Sequence, residues 1–482
     1  MITFAPADVI LIILYFCAVM VIGFRAGRKP GQRRAGEFLL AGRSLTTPVF
    51  VMTLVSTWYG GILGVGEFSY RYGISNWVIQ GVPYYVFAIA FAFLLAKRIR
   101  ATNLATIPDT LERSYGRPTA LLGAFLIFLL MSPAAYVLMI GVLLEMVTGW
   151  PLLFCVVLGT LATTLYLFAG GFRADVHTDI FEFLLMFAGF AVIIPFAVAE
   201  YGGVSFIEMN LPAQHLTWNG GNSMQFVLVW FFIALWTLVD PAFHQRCYAA
   251  ASGDVARRGI LWSVVFWIVF DAMTATAGLY ARAALPGLEQ PVMAYPLLAE
   301  AILPPVAKGM FFIGLLATVM STLNTLAFVS ATTLGRDIVL RLSSGATGPG
   351  DRLAGSEGGD AGETAWVRGG LVITAILSVA LAAAIPSVIK LWYTIGTVIV
   401  PGLLVPVVTA YFEPVRVSPR WAFTCMLSGW LISLVWLLAG WSTGLGAADL
   451  YPLGIEPMYP GLAASVLLWG AGVLMKKSLQ VD

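Results

Sequence analysis

The stretch "GLLATVMSTLNTLAFVSATTLGRDIVL" (Gly314–Leu340) combines the length of a membrane-spanning helix with a repeated series of hydroxyl side chains. A helix needs about 20 apolar residues to cross the hydrocarbon core of a bilayer. The hydroxyls recur through this stretch, at Thr318, Ser321, Thr322, Thr325, Ser330, Thr332 and Thr333. Hydroxyls in such a helix bond back to their own backbone, join neighbouring helices or coordinate an ion. The surrounding sequence decides between these roles.

The composition is that of a membrane protein. Of 482 residues, 59% are hydrophobic and 11% are charged, whereas a soluble domain carries about 25% charged residues. The mean hydropathy is +0.88. The four cysteines lie in apolar runs and indicate buried thiols rather than a disulfide framework. The first apolar run, 9–24, lacks the basic flank and cleavage site of a signal peptide, so we expect a retained span. A net charge of +2 gives no indication of a nucleic-acid partner, and we expect no obligate protein partner.

The apolar runs predict an all-α polytopic protein of the cell (inner or plasma) membrane, surrounded by lipid, with about 13 transmembrane helices. Their expected limits are 8–24, 47–70, 76–97, 119–147, 150–169, 177–198, 225–244, 259–282, 306–336, 367–386, 389–412, 421–440 and 457–475. All but four of the 27 Lys and Arg residues fall in alternate loops, the exceptions being Arg71, Arg282, Lys308 and Lys390. The N-terminus is therefore expected outside and the C-terminus in the cytoplasm. The Gly- and Ser-rich residues 342–365 predict a flexible cytoplasmic linker.

Several carboxylates fall inside the apolar runs. They are Glu67, Glu145, Asp179, Glu182, Asp240, Asp271 and Asp337. Since no Lys or Arg falls near the middle of a predicted span, we expect these acids to lack basic partners and to be protonated or to face cations. For Glu145, Asp240 and Asp337, which lie near span ends, solvation is the simpler interpretation. The pattern favours a cation pathway over an anion pathway.

Three hydroxyl residues of the opening stretch share one helix face, because residues three and four apart are neighbours. Thr318, Ser321 and Thr322 thus direct one carbonyl and two hydroxyls toward one point. Backbone carbonyls become available where a neighbouring transporter helix is interrupted. The glycine-rich "LVSTWYGGILGVGEF" (Leu54–Phe68) predicts such an interruption. Hard cations such as Na⁺ take oxygen ligands of these kinds, while helix back-bonding stays an open alternative at this point.

Five stretches in order resemble the sodium:solute symporter family, which is similar to solute carrier family 5 and has the leucine-transporter-type inverted-repeat fold. They are "FLLAGRSLTTPVFVMTLVST" (38–57), "ATIPDTLERSYGRP" (105–118), "LFAGGFRADVHTDIFEF" (167–183), "DPAFHQRCYAA" (240–250) with "ARRG" (256–259), and "ATVMSTLNTLAFVSATTLGRDI" (317–338). The resemblance covers nearly the whole chain. It implies a sodium-coupled secondary active symporter, not an enzyme, that imports a small organic solute by alternating access with a co-transported sodium ion.

The resemblance also implies an architecture and a sodium site. One extra helix (8–24) precedes two inverted five-helix repeats (47–198 and 225–412), and two further helices follow in 413–482. The sodium ligands implied are the carbonyls of Ser56, Tyr59 and Thr318 and the hydroxyls of Ser321 and Thr322. Asp179 matches a family acid associated with sodium passage. Glu182 stands where Gln is common, which suggests a second cation or proton path.

Solute contacts are implied by position on the core helices. The candidates are Trp58, Gly61, Glu67, Trp77, Gln80, Tyr84, Trp236, Asp240, Trp267, Asp271, Trp392 and Tyr393. Packing alone explains most such aromatics. Trp267 stands where sugar-transporting members have Lys, and Trp58 stands where proline-transporting members have Asp. Unpaired acids together with aromatic ring faces favour a zwitterion or an organic cation as the solute.

Three alternatives remain. The same fold could couple to protons through Asp179, Glu182 or Asp271. A membrane solute sensor is the second, although the sequence ends soon after its last span without an output domain. An intramembrane enzyme is disfavoured, because His177, His215 and His244 have no metal-ligand spacing and no nucleophile–base pair is evident.

Overall fold

The computed structural model describes residues 2–27, 35–343, 357–384, 388–441 and 451–478, which form helices and turns with no strand among them. The main helices are α1 Pro6–Gly27, α2 Thr47–Trp58, α3 Ile62–Tyr72, α4 Val82–Leu94, α5 Ile107–Tyr115, α6 Arg117–Leu130, α7 Ala134–Thr148, α8 Leu152–Tyr201, α9 Met224–Ile233, α10 Pro241–Ala249, α11 Gly253–Ala284, α12 Ala294–Ile302, α13 Ala307–Thr332, α14 Glu357–Ala384, α15 Val388–Thr409, α16 Pro419–Trp441 and α17 Met458–Ser478. Short helical segments are Ala35–Leu40, Ala41–Arg43, Trp77–Gly81, Ala96–Ala101, Val204–Asn210, Ala213–Leu216, Ala234–Val239, Pro291–Met293, Thr333–Leu340, Arg341–Ser343, Glu413–Val415 and Pro452–Gly454.

Within the described residues, 10 helices are long and apolar enough to cross a membrane, and the bent pair α2–α3 gives an eleventh. The all-α multi-pass prediction is therefore confirmed. Helix α8 has 50 residues, about 75 Å at helical rise, against a hydrocarbon core of about 30 Å. Gly171 interrupts it with a φ of +55°, close against Phe38. The count of 13 requires dividing α8 at Gly171 and counting α15, and it stays a prediction, as do the repeat boundaries.

The first interrupted helix is the pair α2–α3, whose axes are bent by 60° at residues 59–61. Tyr59 ends α2 with a φ of −93° and a ψ of 14°. Gly60 follows, and a Cβ there would collide with the side chains of Thr322 and Tyr136. Only glycine allows the backbone to approach α13 this closely. The predicted interruption is thus present and is pressed against the hydroxyl-bearing helix.

The second interrupted helix is the pair α9–α10. Asp240 between them is extended, with a φ of −65° and a ψ of 116°, because Pro241 disfavours the helical conformation of the preceding residue. The Asp240 carboxylate accepts backbone hydrogen bonds from Ala242 (2.7 Å) and Phe243 (3.3 Å) and so caps α10. Asp240 is 8% exposed, so it is a buried cap rather than the solvated end that its position suggested.

Helix α13 lies at the centre of the fold, and residues 311–333 are all buried. Apolar side chains on the outer helices are exposed, as Ile10 on α1 is at 56%, which suits contact with lipid. The predicted linker 342–365 lies partly within the described residues. Leu342 and Ser343 complete a helix, and α14 begins at Glu357, while residues 344–356 lie outside the described part of the chain.

Candidate binding site at the helix breaks

The hydroxyl face of α13 lies directly against the end of α2. Thr322 Oγ1 donates a hydrogen bond of 2.6 Å to the carbonyl of Thr57. The last carbonyls of a helix have no partner within it and carry the negative end of the helix dipole. The predicted sodium ligands on α2, the carbonyls of Ser56 and Tyr59, belong to this same helix end. Ser56 is fully buried and Tyr59 is 5% exposed.

The α13 members of the predicted site are also buried, and each hydroxyl has a defined acceptor. Thr318 Oγ1 donates to the carbonyl of Gly314 at 2.6 Å, and Ser321 Oγ donates to Asp179 Oδ1 at 2.6 Å. Because both hydroxyl protons of Ser321 and Thr322 are directed to other acceptors, their oxygen lone pairs are free to receive a cation. The structure therefore brings uncharged oxygens from two segments together beside one carboxylate.

A cavity of about 170 Å³ lies between the two interrupted helices. Thr57, Tyr59 and Thr322 line it, so it adjoins the end of α2 and the hydroxyl face of α13. No Lys, Arg or His is among the described residues that line it. Its wall is rich in aromatic residues and has two carboxylates, and it includes Trp58, Tyr84, Tyr136, Trp230, Trp236, Asp240, Phe243, Asp271 and Tyr393.

Most of the predicted solute residues line this cavity. They are Trp58, Gly61, Gln80, Tyr84, Trp236, Asp240, Asp271 and Tyr393. Trp267 lies behind the wall, with its ring centroid 5.3 Å from that of Trp58. The side chain of Trp392 lies outside the described part of the chain.

Two predicted solute residues have other partners. The expectation that Glu67 is unpaired is wrong, because Arg71 one turn later lies 2.9 Å from its carboxylate. Glu67 is also not among the described residues that line the cavity. Trp77 acts indirectly: its Nε1 donates to the hydroxyl of Tyr85 at 3.0 Å, and that hydroxyl donates to Asp271. Asp271, 9% exposed, is thus held by a neutral phenol at the cavity wall.

The expectation that the buried acids lack basic partners is wrong for Asp179. Arg246 on α10 has no exposed surface, and its Nη2 lies 3.1 Å from Asp179 and 3.5 Å from Asp175. Asp175 was not a candidate in the sequence, although it precedes Asp179 by one helical turn. Glu182, one turn further, is buried and accepts a hydrogen bond of 3.1 Å from Tyr15 instead. These three acids share one face of α8.

Asp337 is also not solvated. It lies in a fully buried cluster with Arg336 and Arg341 at the cytoplasmic end expected for α13. Arg336 Nη1 lies 3.0 Å from Asp109 on α5, and its Nε contacts Glu363 on α14. This cluster joins three helices. It was missed because Asp109, Arg341 and Glu363 fall in expected loops, and Arg336 and Asp337 fall at the end of the expected span 306–336. Glu145 is partly exposed, in agreement with its position near a span end.

Two interrupted helices beside a cavity, with the hydroxyl face of α13 next to it, define the class of secondary transporters with discontinuous core helices. The model of the sodium:solute symporter family matches residues 38–429, and the chain belongs to this family. It is a multi-pass membrane protein that couples the transport of a small organic solute to sodium.

Curated relatives and a solved structure resemble the chain over most of its length. It is 27% identical over 493 residues to the sodium/pantothenate symporter of Escherichia coli (strain K12), covering 96% of each. It is 24% identical over 498 residues to the high-affinity choline transporter 1 of Drosophila melanogaster, covering 96% of this chain and 76% of that protein. A Na⁺-coupled sialic acid symporter in a substrate-bound outward-open state superposes with a TM-score of 0.79 at 14% identity over 98% of both chains, which shows the shared fold.

Proposed function

We propose that sodium binds between α2 and α13, at the carbonyls of Ser56, Tyr59 and Thr318 and the hydroxyls of Ser321 and Thr322. The solute, a zwitterion or an organic cation, binds in the adjoining cavity. Both enter the cell by alternating access, with the N-terminus outside and the C-terminus in the cytoplasm.

The observation that carries the sodium site is the contact of Thr322 with the α2 break. Its hydroxyl bonds to the Thr57 carbonyl, and Gly60 packs against its side chain. A cation between these segments would be drawn by the negative end of α2 and by the carboxylate of Asp179 behind Ser321. Neutral oxygen donors of this kind suit a hard monovalent ion.

Sodium and solute are coupled in this proposal because their sites share residues. Tyr59 and Thr322 are proposed sodium ligands and also line the cavity, and Thr57, whose carbonyl accepts the hydrogen bond of Thr322, lines it beside them. A sodium ion that bridges α2 and α13 would fix the α2 break and with it the shape of the cavity. It drives transport only if it binds one conformation more tightly than the other. The membrane potential supplies about 2.3 kcal/mol per charge per 100 mV. With a concentration gradient added, one ion supports roughly hundred-fold accumulation, at 1.4 kcal/mol per factor of ten.

The charge of the cavity supports the proposed class of solute. Asp240 and Asp271 line it, while none of its described lining residues is basic. A cationic group is attracted both by a carboxylate and by the faces of rings such as Trp58 and Tyr84. Choline, which the Drosophila relative is named for, has such a group. Pantothenate, which the Escherichia coli relative is named for, is an anion, and this cavity opposes it.

Proteoliposomes test both parts of the proposal. Purified protein is first screened by thermal shift against choline, glycine betaine, proline and pantothenate, with and without sodium. The compound that stabilises the protein is then offered under an inward sodium gradient, under a potassium gradient and under a pH jump without sodium. We expect stabilisation by a cation or zwitterion and uptake with the sodium gradient alone. Uptake driven by the pH jump without sodium would show that the coupling ion is the proton and not sodium. Selective stabilisation by pantothenate would contradict the proposed class of solute.

A further inference from the structure

One wall of the cavity is backed by the C-terminal helices, which lie outside the two expected repeats. This α9–α15 wall is formed by Trp230 and Ile233 of α9 and by Tyr393 of α15. The three side chains belong to one apolar cluster with Met458 of α17, which is 1% exposed. The ring centroids of Trp230 and Tyr393 lie 6.4 Å apart. The start of α17 therefore contacts the residues that shape this side of the cavity.

The segment that leads into α17 is held on two other helices. Gln225 Nε2 of α9 donates a hydrogen bond of 2.6 Å to the carbonyl of Gly454. Trp436 Nε1 of α16 donates one of 2.7 Å to the carbonyl of Ile455. Because these two consecutive residues are fixed, the side chain of Glu456, which follows them, has a defined position behind the wall.

Glu456 is a buried acid in contact with the α9–α15 wall. It is 3% exposed, and the hydroxyl of Tyr393 donates a hydrogen bond to its carboxylate. Among the described residues, its Oε2 has no hydrogen-bond partner and no basic side chain pairs with it. The other ionisable groups near it are the phenols of Tyr451 and Tyr459. A buried acid without a basic partner is costly, so it indicates a function rather than a contribution to stability.

A carboxylate behind a tyrosine changes a cavity wall in two ways. It fixes the direction of the phenol, because the hydroxyl proton is donated to it. It also makes the wall more negative, since a buried charge is screened little by salt and polarises the hydroxyl that donates to it. Both effects favour a cationic group that lies against the rings of Tyr393 and Trp230.

We propose that Glu456 is a specificity-determining residue of the proposed solute site. It acts through Tyr393, as a positioning residue, and gives the α9–α15 wall a negative potential that selects a cationic group over a neutral group of the same shape. This inference rests on the proposed function for the identity of the cavity as the solute site. The C-terminal helices thereby take part in solute selection.

The test measures the charge of the wall directly. Trp230→Cys is made in a Cys17→Ser background, because Trp230 is partly exposed, Cys17 is exposed and the other three cysteines are buried. Purified protein is treated with two thiosulfonate reagents of similar size, one with a quaternary ammonium and one with a sulfonate. Intact mass spectrometry follows both modification rates. Their ratio reports the local potential, since changes in access or in thiol ionisation affect both reagents alike.

We expect the cationic reagent to react faster when Glu456 is present, and the ratio of the rates to fall about ten-fold in Glu456→Gln. Glutamine can still accept the hydrogen bond of Tyr393, so this variant removes the charge and keeps the contact. Glu456→Asp should retain the high ratio, because it keeps the charge. Glu300→Gln is the matched control and should leave the ratio unchanged, since Lys308 already neutralises that acid.

An equal ratio with Glu456 and with Glu456→Gln would overturn the proposal. If Glu456→Gln does not fold, as judged by size exclusion, Glu456→Met provides an uncharged side chain of similar length for the same comparison.

A second measurement separates this proposal from the proposed function. Choline and its uncharged isostere dimethylbutanol are compared as ligands that protect the cysteine of Trp230→Cys from modification. We expect choline to protect better than the isostere, and this preference to be lost in Glu456→Gln. If choline were not preferred while the rate ratio still depended on Glu456, the proposed class of solute would be contradicted and the negative charge of the wall would stand.

Discussion

Ser321 Oγ donates a hydrogen bond of 2.6 Å to Asp179 Oδ1, and both residues are fully buried. The bond crosses from α13 to α8 and places a carboxylate directly behind a proposed sodium ligand. A hydroxyl that donates to a carboxylate is polarised, so its oxygen becomes a better ligand for a cation. Asp179 is therefore expected to act on sodium through Ser321 rather than by contact.

Asp179→Asn tests this relationship. A hydrogen bond to a charged group contributes about 1.5–3 kcal/mol, so we expect the sodium concentration for half-maximal uptake to rise roughly ten- to hundred-fold. The measurement is sodium-dependent uptake in proteoliposomes at saturating solute. Glu182→Gln is the matched control, since that acid is equally buried on the same face of α8 but contacts Tyr15. Equal effects of the two substitutions would contradict a specific role for Asp179.

The proposed sodium site between α2 and α13 is tested by Ser321→Ala combined with Thr322→Ala. We expect sodium-stimulated uptake to be lost while expression is retained, because two of the proposed ligands are removed with little change in volume. Ser330→Ala on the same helix is the control, since that buried hydroxyl lies against Thr374, away from the α2 break. Unchanged sodium dependence in the double variant would rule the site out.

Helical periodicity explains why the position of these hydroxyls against the α2 break could be predicted, whereas the sodium site itself stays a proposal. Residues 318, 321 and 322 must share a face in any helix, and four glycines between Gly60 and Gly66 mark the neighbouring break. Side-chain partners at the ends of broken helices could not be found in this way. The expected span 225–244 placed Arg246 in a loop, but α10 continues to Ala249, so Arg246 lies inside this helix and is buried.

The same limit applies to Asp175 and Asp337. Asp175 preceded the expected span 177–198, yet α8 continues through this region after Gly171 and buries it completely. Asp337 was placed at a span end, where water is the usual partner of a carboxylate. Its partners are instead Arg336 and Arg341, which are neighbours in the sequence. Arg336 in turn is held in the buried interior by Asp109 of α5 and Glu363 of α14, which are far away in the sequence. Charge pairing between helices depends on the tertiary structure, so neither hydropathy nor the spacing of residues along the sequence predicts it.

The buried charge cluster of Asp109, Arg336, Asp337 and Arg341 predicts a pH-dependent contribution to stability. Burial raises the pKa of Asp109, but the guanidiniums of Arg336 and Arg341 lower it more, and the net pKa lies below the ordinary value. This stabilisation is therefore complete above the unfolded pKa of about 3.9 and is lost as the pH falls through the folded pKa.

We expect Asp109→Asn to lower the melting temperature at pH 7, since breaking a buried ion pair costs about 3–5 kcal/mol. The difference in melting temperature between Asp109→Asn and the wild type should become smaller as the pH falls below about 4. Melting curves in detergent between pH 7 and pH 3.5 provide the measurement. Asp254→Asn is the control, because its ion pair with Lys97 is exposed and contributes little. A difference that stays constant over this range would contradict the charge-based explanation.

Asp271→Asn separates solute recognition from sodium binding. Asp271 lines the cavity, and the side chains that hydrogen-bond to it, Tyr85 and Tyr59, are neutral phenols, so its charge is available to a cationic solute group. We expect the affinity for the stabilising cation or zwitterion to fall at least about ten-fold, which corresponds to 1.4 kcal/mol, while sodium binding is unchanged. Competition binding and radioactive sodium binding on the same preparation measure the two effects. Glu67→Gln is the matched control, because Arg71 already neutralises that acid outside the cavity. If Asp271→Asn weakened sodium and solute binding equally, the result would contradict a direct contact between this carboxylate and the solute. The carboxylate would then support the structure of both sites.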